Sequence, residues 1–221
     1  MLARVRQLRG RADPAHFRIL DIGCGDGLFF DKLGRHGRVE GLEPDASLVA
    51  DPRWRSQIRV GGLGPGCRFE ANYDLVLMLD VLEHIQDDRA ALASAVGAIG
   101  SGGHLLVTVP ALPWLWSRHD EANAHFRRYR PGPLRDLLAG AGLRVESIRF
   151  FFAWTVAPLL ARRLLAPAGS SSGLADYEVA IPPAPINRAL DLLSRADHAI
   201  GRAVRWPLGS SLLAIARKPL R

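Results

Sequence analysis

The sequence predicts an α/β fold: a mostly parallel sheet covered by helices on both faces. Two observations carry that prediction. Strand-like apolar runs at 18–22, 38–42, 57–60, 74–79 and 104–109 alternate with helical patterns, as sequential strand–helix units do. The first run, Ile19-Leu20-Asp21-Ile22, also ends in a glycine-dense turn, Gly23-Cys24-Gly25-Asp26-Gly27, and the second ends in Glu43. A turn of this kind at the carboxyl end of a strand is where open α/β sheets hold their ligands.

Each element follows in chain order. The first dozen residues carry Arg4, Arg6, Arg9 and Arg11 without an apolar core. They read as an amphipathic lead-in helix rather than a secretory signal. The segment after the third run, Gly61-Gly62-Leu63-Gly64, is short and glycine-rich, so a loop is expected there instead of a helix. Phe150-Phe151-Phe152-Ala153-Trp154 opens an apolar stretch to Leu165, and residues 167–173 read as a flexible linker. Ile181-Pro182-Pro183-Ala184-Pro185 leads into a helix opened by Asn187. Residues 211–218 form a closing edge strand. There is no internal repeat.

The glycine turn is compatible with two cofactors. A dinucleotide fingerprint calls for a third glycine where this chain has Leu28. Asp21, two residues ahead of the turn, would repel a pyrophosphate but attract the ammonium and sulfonium of S-adenosylmethionine. Glu43, about 20 residues past the first glycine, is placed to accept hydrogen bonds from both ribose hydroxyls. The pattern therefore favours a cationic, phosphate-free cofactor over NAD.

On these residues the chain resembles the class I S-adenosylmethionine-dependent methyltransferases, and within them the ubiquinone- and menaquinone-type enzymes. The match continues in Tyr73-Asp74-Leu75-Val76-Leu77-Met78-Leu79-Asp80-Val81-Leu82-Glu83-His84-Ile85 and in Gly102-Gly103-His104-Leu105-Leu106-Val107-Thr108-Val109-Pro110. The resemblance implies a Rossmann-like seven-stranded sheet whose antiparallel last strand lies between the fifth and the sixth. It implies one domain over residues 1–221, with a cofactor-binding core at 15–150. A helical C-terminal insertion at 152–209 would cover the acceptor side, and 210–218 would be the closing strand. Cofactor contacts are expected at Asp21, Gly23, Cys24, Gly25, Glu43, Pro44, Leu79 and Asp80. Past the third strand, Gly61-Gly62-Leu63-Gly64 lacks the acid that often meets the adenine amine in the family, so adenine recognition is expected from main-chain groups.

The acceptor side is expected in the loop from Trp114 to Tyr129. His119 or His125 would take a hydroxyl proton, with Asp120 orienting the histidine. Arg127 and Arg128 would hold a phosphate or carboxylate. Alternatively they pair with Asp120 in a structural network anchored by Trp114 and Trp116. Asp80, Glu83 and His84 match the acid-x-x-E-H of ubiquinone-type O-methyltransferases, which is linked to a divalent metal; relatives without a metal also carry L-E-H, so metal use stays open.

Composition narrows the partners. The net charge is +7, carried almost wholly by arginine, and a basic surface attracts anions. No nucleic-acid module is recognisable, which leaves lipid or a phosphorylated substrate. Between Asn187 and Trp206 apolar residues recur at helical spacing, with Arg188, Arg195 and Arg202 opposite. Such a helix lies on a membrane surface or packs on its own domain. The two cysteines are too few for a disulfide framework, which suggests a reducing cytoplasm, with the inner membrane face as a possible station. The reading is an O-methyltransferase acting on an isoprenoid, quinone-like or lipid-linked-sugar acceptor. The alternatives are a catalytically silent module of the same fold that docks at membranes, and an NAD-dependent oxidoreductase.

Overall fold

The computed structural model describes residues 1–64, 67, 69, 72–165 and 183–220. In chain order the elements are α1 (Leu2–Arg9), β1 (Arg18–Ile22), α2 (Phe30–Leu33), β2 (Arg38–Glu43), β3 (Ile58–Val60), β4 (Tyr73–Leu79), α3 (Asp88–Ala98), β5 (Ile99–Pro110), α4 (Arg118–Ala122), α5 (Pro131–Gly140), β6 (Arg144–Phe151), α6 (Val156–Leu165), α7 (Ala184–Ala203) and β7 (Ser211–Arg217). The strands form one seven-stranded sheet in the order β3-β2-β1-β4-β5-β7-β6.

The central strands are buried on both sides because their sequence is apolar on both. In β4, Leu75, Val76, Leu77 and Met78 are all fully buried. Successive side chains point to opposite faces. Leu75 and Leu77 join one core with Val5 of α1 and Phe30 and Leu33 of α2. Val76 and Met78 join the other with Ala91 and Leu92 of α3 and Leu134 and Leu138 of α5. Asp87 caps α3, its carboxylate accepting the Ala90 N–H at 2.9 Å.

Three expectations need correction. Residues 211–218 do not form an edge: β7 pairs antiparallel with both β5 and β6, the inserted position that the family resemblance implied, so β3 and β6 are the edges. Alternating burial alone cannot distinguish an edge from an inserted strand. The strand expected at 104–109 begins at Ile99, so Gly102 and Gly103 lie within β5, where the register slips from Tyr73↔Ile99 to Leu75↔His104. Finally, α7 opens at Ala184 rather than Asn187, with Pro185 in its first turn, where a missing N–H costs nothing. The linker read at 167–173, and Ile181 and Pro182, lie outside the described residues.

α7 is fixed over the carboxyl end of the sheet by one buried side chain. The Asp197 carboxylate accepts the N–H groups of Phe152 (2.8 Å) and Ala153 (2.9 Å), just past β6. Phe152 there has a φ of 55°, a conformation that costs a bulky residue. Among the described residues no helix is long and apolar enough to cross a membrane.

The β1–β2 layer is packed tightly enough to test. A Cβ at Gly41 would lie 2.5 Å from Cys24 Sγ and 2.9 Å from Phe30 Cζ. Gly41→Ala should therefore destabilise the fold by about 1–3 kcal/mol, read as a lower midpoint in urea unfolding. An unchanged midpoint would contradict this packing.

Candidate functional site

Parallel register sets the site. Ile22 of β1 is paired with Leu42 of β2 and Met78 of β4. The residues that follow at these strand ends are Gly23, Glu43 and, one step beyond Leu79, Asp80. Gly23 has a φ of 70°, and a Cβ there would meet Val81 Cγ2 at 2.6 Å, so only glycine fits. Its N–H bonds the Leu42 carbonyl at 2.7 Å and ties the turn to β2. The buried Glu43 carboxylate accepts the Gly25 N–H at 2.8 Å through Oε2 and the Asp45 N–H at 3.0 Å through Oε1. Each oxygen keeps acceptor capacity for a further donor.

A cavity of about 510 Å³ opens here, with Gly23, Glu43, Pro44 and Asp80 on its wall. Gly61, Gly62 and Leu63 also line it and offer main-chain groups, with no acid beside them among the described residues. Among the described residues the wall carries two carboxylates and His84 but no lysine or arginine. That chemistry suits a cationic ligand and gives a pyrophosphate no counter-charge.

Not every expected cofactor residue is on this wall. Asp21 is buried in β1, and burial, then the nearby Glu43 charge, raise its carboxyl to about 7. Gly25 contributes through its N–H to Glu43. The Cys24 side chain turns into the core beside Gly41 and Phe30. Its thiol is pushed up to about 12 by burial, then by Asp21 and Glu43. Leu79 lines a different cavity.

That second cavity, about 590 Å³, shares Asp80 with the first. Leu79, Thr108, Phe29, Phe151 and Phe152 supply its sheet side. Ser194, Arg195, Asp197 and His198 of α7 supply a polar side. Asp80 has a φ of 54° and is held by its own N–H, which donates to the Thr108 carbonyl and to Thr108 Oγ1, both at 3.0 Å. Burial raises its carboxyl above the usual range, against the opposing pull of Thr108, His125 and His84. An acid with a strained backbone and a raised carboxyl, open to two cavities, is a marker of functional sites.

The expected catalytic residues separate. His125 packs edge to face on His84, ring centroids 4.6 Å apart, and its Nδ1 lies 3.0 Å from Asp120 Oδ1. Asp120 is fully buried at the start of α4, where it forms a capping box with Ser117. Burial pushes its carboxyl up, but hydrogen bonds from Arg128, His125 and the Ser117 N–H outweigh this and hold it below the usual range. His119 lines neither of the two cavities sharing Asp80. It borders a groove of about 430 Å³ with Arg128, Pro158 and Ser211.

Arg128 pairs with Asp120 at 2.7 Å, as the structural alternative had it, whereas Arg127 pairs with Asp88 at 2.7 Å instead of Asp120. Tyr129 donates its O–H to Asp88 at 3.0 Å. Trp114 is exposed, so it is no core anchor; Leu115 is the buried residue of that turn. Apolar identity alone did not say which of the adjacent side chains points inward.

Glu83, on the 3-10 turn Leu82–His84, is buried, and its Oε2 has no hydrogen-bond partner. Burial, then the neighbouring Asp80, raise its carboxyl to about 8. Sequence reasoning missed Thr108, Asp197 and the place of His198. Asp197 sits in a helix whose apolar spacing drew attention to other positions, and no local pattern connects it to Phe152.

Comparison with known proteins adds an independent line. A family model described as a methyltransferase domain matches residues 1–148. The chain is 30% identical over 179 residues to a "Probable S-adenosylmethionine-dependent methyltransferase" of Mycolicibacterium smegmatis, covering 78% of this chain and 68% of that one. It is 25% identical over 167 residues to a ubiquinone biosynthesis O-methyltransferase of Xanthomonas axonopodis pv. citri, covering 66% and 70%. Among solved structures it resembles a SAM-dependent methyltransferase of Archaeoglobus fulgidus, with a TM-score of 0.58 at 17% identity, covering 98% of this chain and 92% of that one. A similar enzyme of Mesorhizobium loti gives 0.59 at 19%, covering 97% and 96%.

The Cys24 environment yields a chemical test. The thiolate is the reactive form, and this thiol stays protonated until about pH 12. Iodoacetamide at about pH 8 should leave Cys24 unmodified in the native protein, as read by peptide mass spectrometry. Rapid labelling of Cys24 would refute its placement in the core.

Proposed function

The chain belongs to the methyltransferase-domain family, and on that premise we propose that it transfers a methyl group from S-adenosylmethionine to a hydroxyl of a sizeable amphipathic small molecule. One observation carries the reading: the cavity walled by Glu43, with no lysine or arginine among its described residues, meets the partly apolar second cavity at Asp80. S-adenosylmethionine, when bound, supplies an electrophilic methyl group on a sulfonium.

The chain's own residues do the rest. Glu43 accepts hydrogen bonds from the ribose hydroxyls, and Gly23 lets the main chain approach. Gly61, Gly62 and Leu63 face the adenine with peptide groups. Asp80 supplies negative charge where the two ligands meet. Phe29, Phe151 and Phe152 take the apolar body of an isoprenoid, a quinone-like ring or a lipid-linked sugar. Ser194, Arg195 and His198 address its polar part. Positioning and water exclusion account for most of the rate in such a displacement. Proton removal is assigned to His125, oriented by Asp120, with His119 as the second candidate. The O-methyltransferase name of the Xanthomonas relative supports a hydroxyl acceptor.

A membrane-facing role has its own support. α7 exposes Leu192 at 65%, together with Ile186, Leu193 and Ile200. Arg188 and Arg195 share the helix, and a basic amphipathic helix of this type suits the inner face of a membrane. Co-sedimentation with anionic vesicles at low salt tests it, and no binding would remove this role.

Two measurements test the methyl-transfer reading. Glu43→Gln should weaken S-adenosylhomocysteine binding roughly 10- to 100-fold in calorimetry, the loss of about 1.5–3 kcal/mol from charged hydrogen bonds. Wild-type binding of NAD but not of S-adenosylhomocysteine would refute it. His125→Ala should lower kcat about 100-fold or more with cofactor affinity retained. Unchanged turnover would rule His125 out of proton removal.

A further inference from the structure

The groove beside His119 differs in chemistry from the two cavities that share Asp80. It measures about 430 Å³, and its polar wall is made of Arg128, His119 and the hydroxyl residues Thr155, Ser210 and Ser211. Among the described residues no carboxylate lines it. Pro158 and Leu159 of α6 give it an apolar flank. Arg128 is its buried cation, with a side chain only 7% exposed. The Arg128 Nε donates to Asp120 Oδ1 at 2.7 Å and Nη1 donates to the Ala111 carbonyl at 3.1 Å. A guanidinium carries more N–H donors than these bonds use, so donors remain for a ligand. Asp120 fixes the guanidinium but is fully buried and absent from the groove wall, and it also accepts from His125 and the Ser117 N–H. Thr155 Oγ1 and Ser210 Oγ lie 2.7 Å apart. The Phe152 carbonyl already receives the N–H groups of Thr155 and Ser210, at 3.3 and 3.4 Å. The Thr155 proton can therefore turn to Ser210 Oγ and free the Ser210 proton for a ligand.

We propose that this groove binds the phosphoryl group of an amphipathic phosphate ester, gripped by Arg128 and His119. A fixed guanidinium, an imidazole and hydroxyl donors with no acid among them suit an oxyanion with several oxygens. The apolar flank suits a carbon chain attached to it. A buried cation also attracts an anion more strongly than one surrounded by water. The turn Ala153–Thr155 lies between this groove and the acceptor cavity, with Phe152 lining the cavity and Thr155 the groove. A phosphate held here is thus one short turn from the acceptor. It belongs either to the acceptor itself or to a lipid headgroup, and both present the same chemistry. Where it belongs to the acceptor, the inference deepens the methyl-transfer reading and rests on it. Binding by the groove does not.

Calorimetry on the full chain with hexyl phosphate tests the site, with hexanol and inorganic phosphate as controls. Hexyl phosphate should bind at least about 10-fold tighter than either control, because each control lacks one half of the recognition. Leu159→Glu puts a like charge at the rim without touching Arg128 and should weaken hexyl phosphate about 10-fold. Arg128→Lys keeps the charge but loses the planar fork and should weaken it about 10-fold. His119→Gln should cost about 3-fold. Retained S-adenosylhomocysteine binding certifies that each variant is folded. Equal affinity for hexanol overturns the anion assignment. Undiminished binding in both Leu159→Glu and Arg128→Lys overturns the location. Wild-type protein that binds S-adenosylhomocysteine but gives no heat with hexyl phosphate overturns the site. Pelleting with phosphatidic acid–phosphatidylcholine vesicles that Arg128→Lys abolishes supports a lipid headgroup as the source. Hexyl phosphate binding without such pelleting supports a soluble ester. Hexyl phosphate binding without S-adenosylhomocysteine binding leaves the groove standing and sinks the methyl-donor reading.

Discussion

The structure depends on the parallel register of β1 with β2 and β4. Pairing Ile22 with Leu42 and with Met78 brings three strand ends level. A glycine turn, a carboxylate and a strained aspartate then emerge side by side. Shifting any of these strands by one residue would turn its side chains to the opposite face. Apolar runs buried on both faces and the Gly23–Leu42 hydrogen bond resist that slip. The site is thus a consequence of the sheet rather than an addition to it.

The site concentrates negative charge. Asp21, Glu43, Asp80 and Glu83 crowd one end of the sheet, and burial raises Asp21, Asp80 and Glu83 above the usual carboxylate range. Isolated buried carboxylates oppose folding. A ligand carrying positive charge relieves that opposition and stabilises the folded state through its binding. Nearby, acids with cationic partners behave differently. Asp120 meets Arg128 and is held low, and Asp88 meets Arg127. Paired acids build the scaffold; of those without a cation, Glu43 and Asp80 line the cavities, whereas Asp21 and Glu83 are buried.

Much of this was legible because it is local. The turn 23–27, Glu43 at the next strand end and the apolar run into Asp80 are short patterns whose spacing reflects single strands and turns. The Asp120–His125 pairing was also foreseeable, since both lie in one loop. The His84–His125 contact was not, because it joins loops after different strands. Nor could sequence show that His119 faces a separate groove; the place of β7 between β5 and β6 came from the family resemblance and not from the strand's own pattern.

The sequence by itself determined the α/β class, the cofactor turn and the acids that mark it, because backbone freedom at glycine and strand periodicity act over a few residues. Tertiary structure decided which histidines meet, how Asp197 seats α7 over the second cavity, and why Glu83 is left with a bare oxygen. Those outcomes rest on contacts between segments far apart in the chain, whose geometry exists only once the sheet has set their relative positions.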